Sequence, residues 1–113
     1  MAKKCIECGL CRTACPVLRV TGSETLGPRG RVLQARQEIK DKLFYACTLC
    51  KNCEVACPLK LELEKDFREY RAELVKADIT TESNTEMINN VRAAGNPVGK
   101  AEEGKLPKKL YCC

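Results

Sequence analysis

Apolar residues along this chain recur at helical rather than alternating intervals. The clearest case is Leu63, Phe67, Tyr70 and Leu74, at i, i+4, i+7 and i+11, one stripe of a helix expected over 62–77. Glu64 with Arg68, and Lys65 with Glu69, stand four apart on its wetter sides and predict a solvated face. Upstream, Val32, Leu33, Ala35, Ile39, Leu43 and Phe44 predict two short helices over 29–37 and 40–46, with Pro28 in the first turn. Downstream, Ser83-Asn84-Thr85-Glu86 has capping-box form, Met87, Ile88, Val91 and Ala94 make an apolar face, and Gly95 then Pro97 stop the helix. Helix is also expected across Leu10 to Cys15, a loop over 17–27, and a linker over 96–110. No hairpin signal interrupts these elements, so the fold class they predict is all-α.

Composition sharpens this picture in one respect. The chain has 113 residues with no Trp, two Phe and three Tyr, which predicts one domain with a thin core. It also has ten cysteines. Eight of them fall into one spacing written twice, C-x2-C-x2-C-x3-C-P: Cys5, Cys8, Cys11, Cys15 with Pro16, and Cys47, Cys50, Cys53, Cys57 with Pro58. That run holds iron–sulfur clusters in two-cluster ferredoxins, where the fourth cysteine ligates the other cluster. The expected ligand sets are therefore Cys5, Cys8, Cys11 and Cys57 for one [4Fe–4S] cluster, and Cys47, Cys50, Cys53 and Cys15 for the other. Four residues of helix rise ~6 Å, so this exchange predicts cluster centres on the order of 10 Å apart. Pro16 and Pro58 are expected to turn the chain away from the cysteine before each. Because clusters of this kind bind only the organised chain, their binding is expected to supply folding free energy that the aromatics do not.

Three other uses of the cysteines fit less well. Zinc ribbons use two separate C-x-x-C knuckles rather than four cysteines in one run. Disulfides belong to oxidising compartments, and no signal peptide precedes this dense C-x-x-C pattern. A [3Fe–4S] form at one or both sites stays open. The formal charge of +5 counts the cysteines as neutral. An oxidised cubane with four thiolates carries about −2, so two of them bring the total to about +1. The basicity is thus mostly counter-charge, and no aromatic-interleaved basic stripe predicts nucleic-acid binding. No stretch approaches the ~20 apolar residues of a membrane span. The expected location is cytoplasmic, with any membrane association made through partners.

The paired runs, Gly27-Pro28-Arg29-Gly30-Arg31 between them, and Asn89-Asn90-Val91-Arg92-Ala93-Ala94-Gly95-Asn96-Pro97 resemble the α-helical ferredoxin module of the heterodisulfide reductase iron–sulfur family. Similar modules occur in the iron–sulfur subunits of anaerobic glycerol-3-phosphate dehydrogenase, glycolate oxidase and succinate dehydrogenase. The resemblance implies an all-helical domain over 1–97 with two [4Fe–4S] clusters, rather than the doubled βαβ unit of small bacterial ferredoxins. It implies an electron-transfer subunit between a flavoprotein partner and a cysteine-rich, disulfide-reducing partner, with no catalytic residues of its own. Residues 98–113 are expected to be a linker or tail. Leu106 to Cys113 resembles the opening strand of the cysteine-rich domain, against the simpler reading of Cys112 and Cys113 as exposed thiols. A free two-cluster carrier and a structural or regulatory cluster protein are the competing functions. Arg29 and Arg31 are expected either to be solvated at a helix start or to act on a cluster or partner.

Overall fold

A computed structural model describes residues 3–100, 104 and 105. Among these there are six α-helices and no strand: α1 (Leu10–Thr13), α2 (Pro16–Thr21), α3 (Pro28–Arg36), α4 (Asn52–Val55), α5 (Leu63–Lys76) and α6 (Glu82–Ala94). Two 3-10 turns, Glu24–Leu26 and Lys42–Ala46, complete the set. The fold is helical, as the apolar spacing requires. The chain forms two compact units, Met1–Ile79 and Thr80–Cys113. The tail expected over 98–113, with Cys112 and Cys113, lies mostly outside the described residues.

The core of the first unit rests on α5. Its stripe of Leu63, Phe67, Tyr70 and Leu74 is buried, together with Val32 and Ala35 of α3 and Phe44 of the second 3-10 turn. Phe67, Phe44 and Leu74 are fully enclosed. The Phe44 and Tyr70 rings stand 4.4 Å apart between centroids at a tilt of 43°, an arrangement that favours aromatic pairs. The Tyr70 hydroxyl donates to the Ile39 carbonyl at 3.0 Å and the Tyr45 hydroxyl to that of Ile79 at 2.9 Å, so both phenols keep a partner on leaving water.

Several boundaries differ from the sequence expectation. The loop expected over 17–27 begins as a helix: Pro16 occupies the first position of α2, where its missing N–H costs nothing. Cys15 caps that helix, its Sγ accepting from the Leu18 N–H at 3.5 Å. The helix expected over Leu10 to Cys15 therefore stops at Thr13. The helix expected over 40–46 is a 3-10 turn, started by the Asp41 carboxylate accepting from Leu43 N–H at 2.9 Å. In the second unit, α6 is capped by Thr81, which accepts from Asn84 N–H, two residues before the expected box. It ends as expected at Gly95 in the left-handed conformation. Its apolar residues Ile88 and Val91 stay exposed.

Gly27-Pro28-Arg29-Gly30-Arg31 works residue by residue. Pro28 starts α3. Arg29 Nε donates to Glu24 Oε1 at 2.9 Å, and Arg12 Nε to the other oxygen of the same carboxylate at 2.6 Å. Gly30 lets α3 lie directly on the backbone of the first 3-10 turn. Arg31 turns inward and is 1% exposed.

Candidate metal centre

The two cysteine runs are built alike. Each begins in irregular chain that passes through two residues of positive φ, Glu7 and Gly9 in the first and Leu49 and Lys51 in the second, then enters a one-turn helix. Gly9 caps α1 and Lys51 caps α4 from the left-handed region. In each run the third cysteine lies within the short helix and the fourth follows its end. Glu7, Leu49 and Lys51 are not glycines, so each of these turns costs on the order of 1–2 kcal/mol.

Long-range ties hold each curl in place. Arg36, at the end of α3, donates from Nη2 to the Cys5 carbonyl at 2.7 Å and to that of Lys3 at 3.1 Å, while its Nη1 reaches Glu7 Oε1 at 2.8 Å. Arg71 of α5 does the equivalent for the second run, donating to the carbonyls of Phe44, Tyr45 and Cys47. An arginine thus grips the carbonyl of the opening cysteine in both runs. Sequence reasoning misses both arginines. Arg71 follows Phe67 by four and precedes Leu74 by three, so its place beside the buried stripe is a usable signal.

Between these elements lie two cavities. The first encloses about 390 Å³, part of it open to solvent, and is lined by Cys5, Cys8 and Cys11 together with Cys57 from the other run. The second spans about 350 Å³, again partly open to solvent, and is lined by Cys47, Cys50 and Cys53 together with Cys15. Pro28 stands in the wall of both. The eight cysteines among the described residues carry free thiols; of these Cys15 is buried and Cys8 and Cys50 are exposed. Helices α1 and α4 pack on one another, which brings a wall of each cavity to a common seam.

The charges follow from this packing. With no iron bound, burial pushes the Cys11 thiol up, and the neighbouring Cys5 adds to it. Burial, then Cys47 and Cys11, push Cys53 up to about 12. Burial pulls the Arg71 guanidinium down and Arg31 pulls it further, with Cys47 opposing. Arg31 lines the second cavity, and neither its Nε nor its Nη2 has a hydrogen-bond partner.

These residues fit a pair of iron–sulfur cubes. No three His, Cys, Asp or Glu side chains among the described residues are placed to hold a single metal ion. Instead each cavity is lined by four cysteines, three from one run and the fourth from the other. The unpartnered guanidinium on the second cavity matches an anionic occupant. No helix among the described residues is long and apolar enough to cross a membrane.

Comparison with known proteins agrees with this chemistry. The family described as 4Fe-4S dicluster domain matches residues 1–61, which contain all eight cysteines of the two runs. The chain is 30% identical over 112 residues to the uncharacterized electron transport protein YkgF of Escherichia coli, covering 91% of this chain and 23% of that one. It is 33% identical over 64 residues to the glycolate oxidase iron-sulfur subunit of the same organism, covering 50% and 16%. To lactate utilization protein B of Macrococcus caseolyticus it is 36% identical over 83 residues, covering 66% and 17%. The chain thus spans less than a quarter of the length of each of these relatives. No solved structure matches it significantly.

Proposed function

The chain belongs to the 4Fe-4S dicluster domain family, and on that premise we propose that it relays single electrons between a flavin-bearing partner and a second active site. Its cofactor is two [4Fe–4S] clusters. When bound, they supply one-electron carriers whose potentials are set by charge, hydrogen bonds and solvent exposure. In this reading Cys5, Cys8, Cys11 and Cys57 hold one, and Cys47, Cys50, Cys53 and Cys15 hold the other. The observation that carries it is the lining of the two cavities, each with three cysteines of one run and the fourth of the other.

The protein's own groups do the rest. Arg36 and Arg71 fix the two loops, so that thiolates meet iron without the loops having to close. Core residues Val32 and Leu63 wall the first cavity, and Phe67 walls the second, limiting water there. The exposed Cys8 and Cys50 mark where electrons enter and leave. Glycolate and lactate, named in two relatives, are small 2-hydroxy acids. They make the reduced flavin of a hydroxy-acid dehydrogenase the proposed electron source. The proposed acceptor is a cysteine-rich, disulfide-reducing site of the heterodisulfide reductase kind, and the proposed compartment is the cytoplasm.

The test is iron and acid-labile sulfide analysis with EPR of the reduced, anaerobically purified protein. About eight iron and eight sulfide per chain, with a spectrum broadened by coupling between two clusters, is the expected result. Zinc, or half that iron, overturns the reading.

A further inference from the structure

Arg31 is the most enclosed charge in the first unit, 1% exposed, on the wall of the cavity that holds Cys15, Cys47, Cys50 and Cys53. A guanidinium stays protonated in proteins and carries five N–H donors. Enclosing one without a counter-charge costs several kcal/mol. Its Nε and Nη2 have no acceptor. Glu64, the carboxylate on that wall, is engaged by Arg68 and by Lys51 at 3.9 Å. Lys51 is itself largely exposed, so solvent screens its charge.

The first cavity is different. Its charged lining residues are Glu7 and Arg29. Glu7 is paired with Arg36 at 2.8 Å and Arg29 with Glu24 at 2.9 Å. The charges on the first cavity therefore each have a counter-charge at hand, Arg29 sharing Glu24 with the more exposed Arg12, whereas the second cavity faces a desolvated guanidinium with none.

We propose that Arg31 is the built-in counter-charge of the second cluster site and makes the two sites unequal, the site of Cys15, Cys47, Cys50 and Cys53 accepting an electron first. This rests on the reading of the two cavities as cluster sites. Arg31 holds its charge against a site whose net charge falls from about −2 to about −3 when one electron arrives from a reduced flavin, with no bond made or broken. A fixed cation in a low-dielectric wall favours the more negative state. Three N–H groups on Nε and Nη2, not spent on protein acceptors, are also available to sulfur, and hydrogen bonds to sulfur tune the potential in such sites. Electrons then run from the first site toward the second, which gives the chain a direction.

The experiment is an EPR-monitored redox titration of the full chain, purified anaerobically, with iron content measured in parallel. Cys8→Ser and Cys50→Ser, made one at a time at the exposed ligands, mark which signal belongs to which site. In the wild-type chain the signal moved by Cys50→Ser should titrate at the higher potential. Arg31→Gln should weaken electron uptake at that site about tenfold or more, 59 mV for a one-electron couple, and move the other site much less. Arg31→Lys keeps the charge and should recover at least about half of the loss. Equal potentials in the wild type, the reverse order, an Arg31→Gln shift shared by both sites or absent, or a lysine variant no better than glutamine each overturn the proposal. If Arg31→Gln retains no iron, the wild-type order and the lysine variant decide. Zinc or half the iron in the wild type would sink the cluster reading itself; two clusters of equal potential would sink only the role of Arg31.

Discussion

Gly30 lies so close to Glu24 that a β-carbon on it would sit 2.1 Å from the Glu24 carbonyl oxygen. The obstacle is backbone, which cannot swing aside as a side chain can. Gly30→Ala should push α3 off the first 3-10 turn and destabilise the protein by about 1–3 kcal/mol. Thermal unfolding followed by helical circular dichroism measures this, and Arg31, the next residue, should lose its register with the second cavity. An unchanged midpoint would mean that the two segments do not meet as closely as described.

Phe67 joins the core to the second cavity, fully buried and on that cavity's wall. Phe67→Ala should cost about 3–5 kcal/mol. It should also admit water and chelator to one site before the other. Iron release to a chelator is expected in two phases of similar size, the faster one new to the variant.

Exchange of the fourth cysteine can be read by pairing substitutions. If Cys57 completes the set of Cys5, then Cys5→Ser with Cys57→Ser damages one site and leaves the other whole. Cys5→Ser with Cys15→Ser damages both. Iron content of about four per chain in the first double variant and close to none in the second is the expected result; the opposite pattern would assign each fourth cysteine to its own run.

The raised thiols make assembly pH-dependent. Cys53, at about 12 with no iron bound, and Cys11 are protonated at neutral pH, so binding iron must expel those protons. Reconstitution with iron and sulfide should accelerate between pH 7 and pH 9. The metal-free chain runs the other way. A thiol raised on folding stabilises the folded state while both states are protonated, below about pH 9, and that contribution is lost as pH climbs toward about 12. Unfolding midpoints of the metal-free chain should fall over that window.

Arg71→Gln removes the donors that hold the Phe44, Tyr45 and Cys47 carbonyls, whereas Arg36→Gln frees those of Lys3 and Cys5. Each should cost about 1–3 kcal/mol. Each should also make one site, and a different one in each case, more sensitive to oxygen. Bleaching of the visible absorption in air, compared with EPR of the surviving cluster, distinguishes them.

The parts legible in the sequence are those set by periodicity and sulfur spacing. Leu63, Phe67, Tyr70 and Leu74 share a face because the helix period demands it, and all four are buried. Pro28 and Gly95 mark a start and a stop as their backbone preferences require. Pro16 misleads for an instructive reason. The property that bars proline from a helix interior suits it to the first position, and only the sequence after it, Val17-Leu18-Arg19-Val20-Thr21, tells the two cases apart. The 3-10 turn at Lys42–Ala46 looks α-helical in sequence because its apolar residues have helical spacing over too few turns to separate the two forms.

The cysteines that line the two cavities stand out in the sequence; among the arginines, Arg29 and Arg31 stand out with two open readings, and Arg36 and Arg71 not at all. Arg29, Arg31, Arg36 and Arg71 are chemically alike, and their tasks differ only through burial. Arg29 pairs with Glu24, Arg36 and Arg71 grip backbone, and Arg31 is enclosed with donors to spare. Linear spacing carries no record of which neighbour a long side chain will find across the fold.

The shared walls around Pro28 also bear on how such a chain can change over time. Because each hollow borrows one sulfur from the opposite loop, half of the protein is not a smaller version of the whole. With the ligand sets proposed above, neither run can be removed without leaving the other's site one sulfur short. The stretch joining them, by contrast, is free to lengthen wherever it stays clear of the Pro28 wall and the arginine grips.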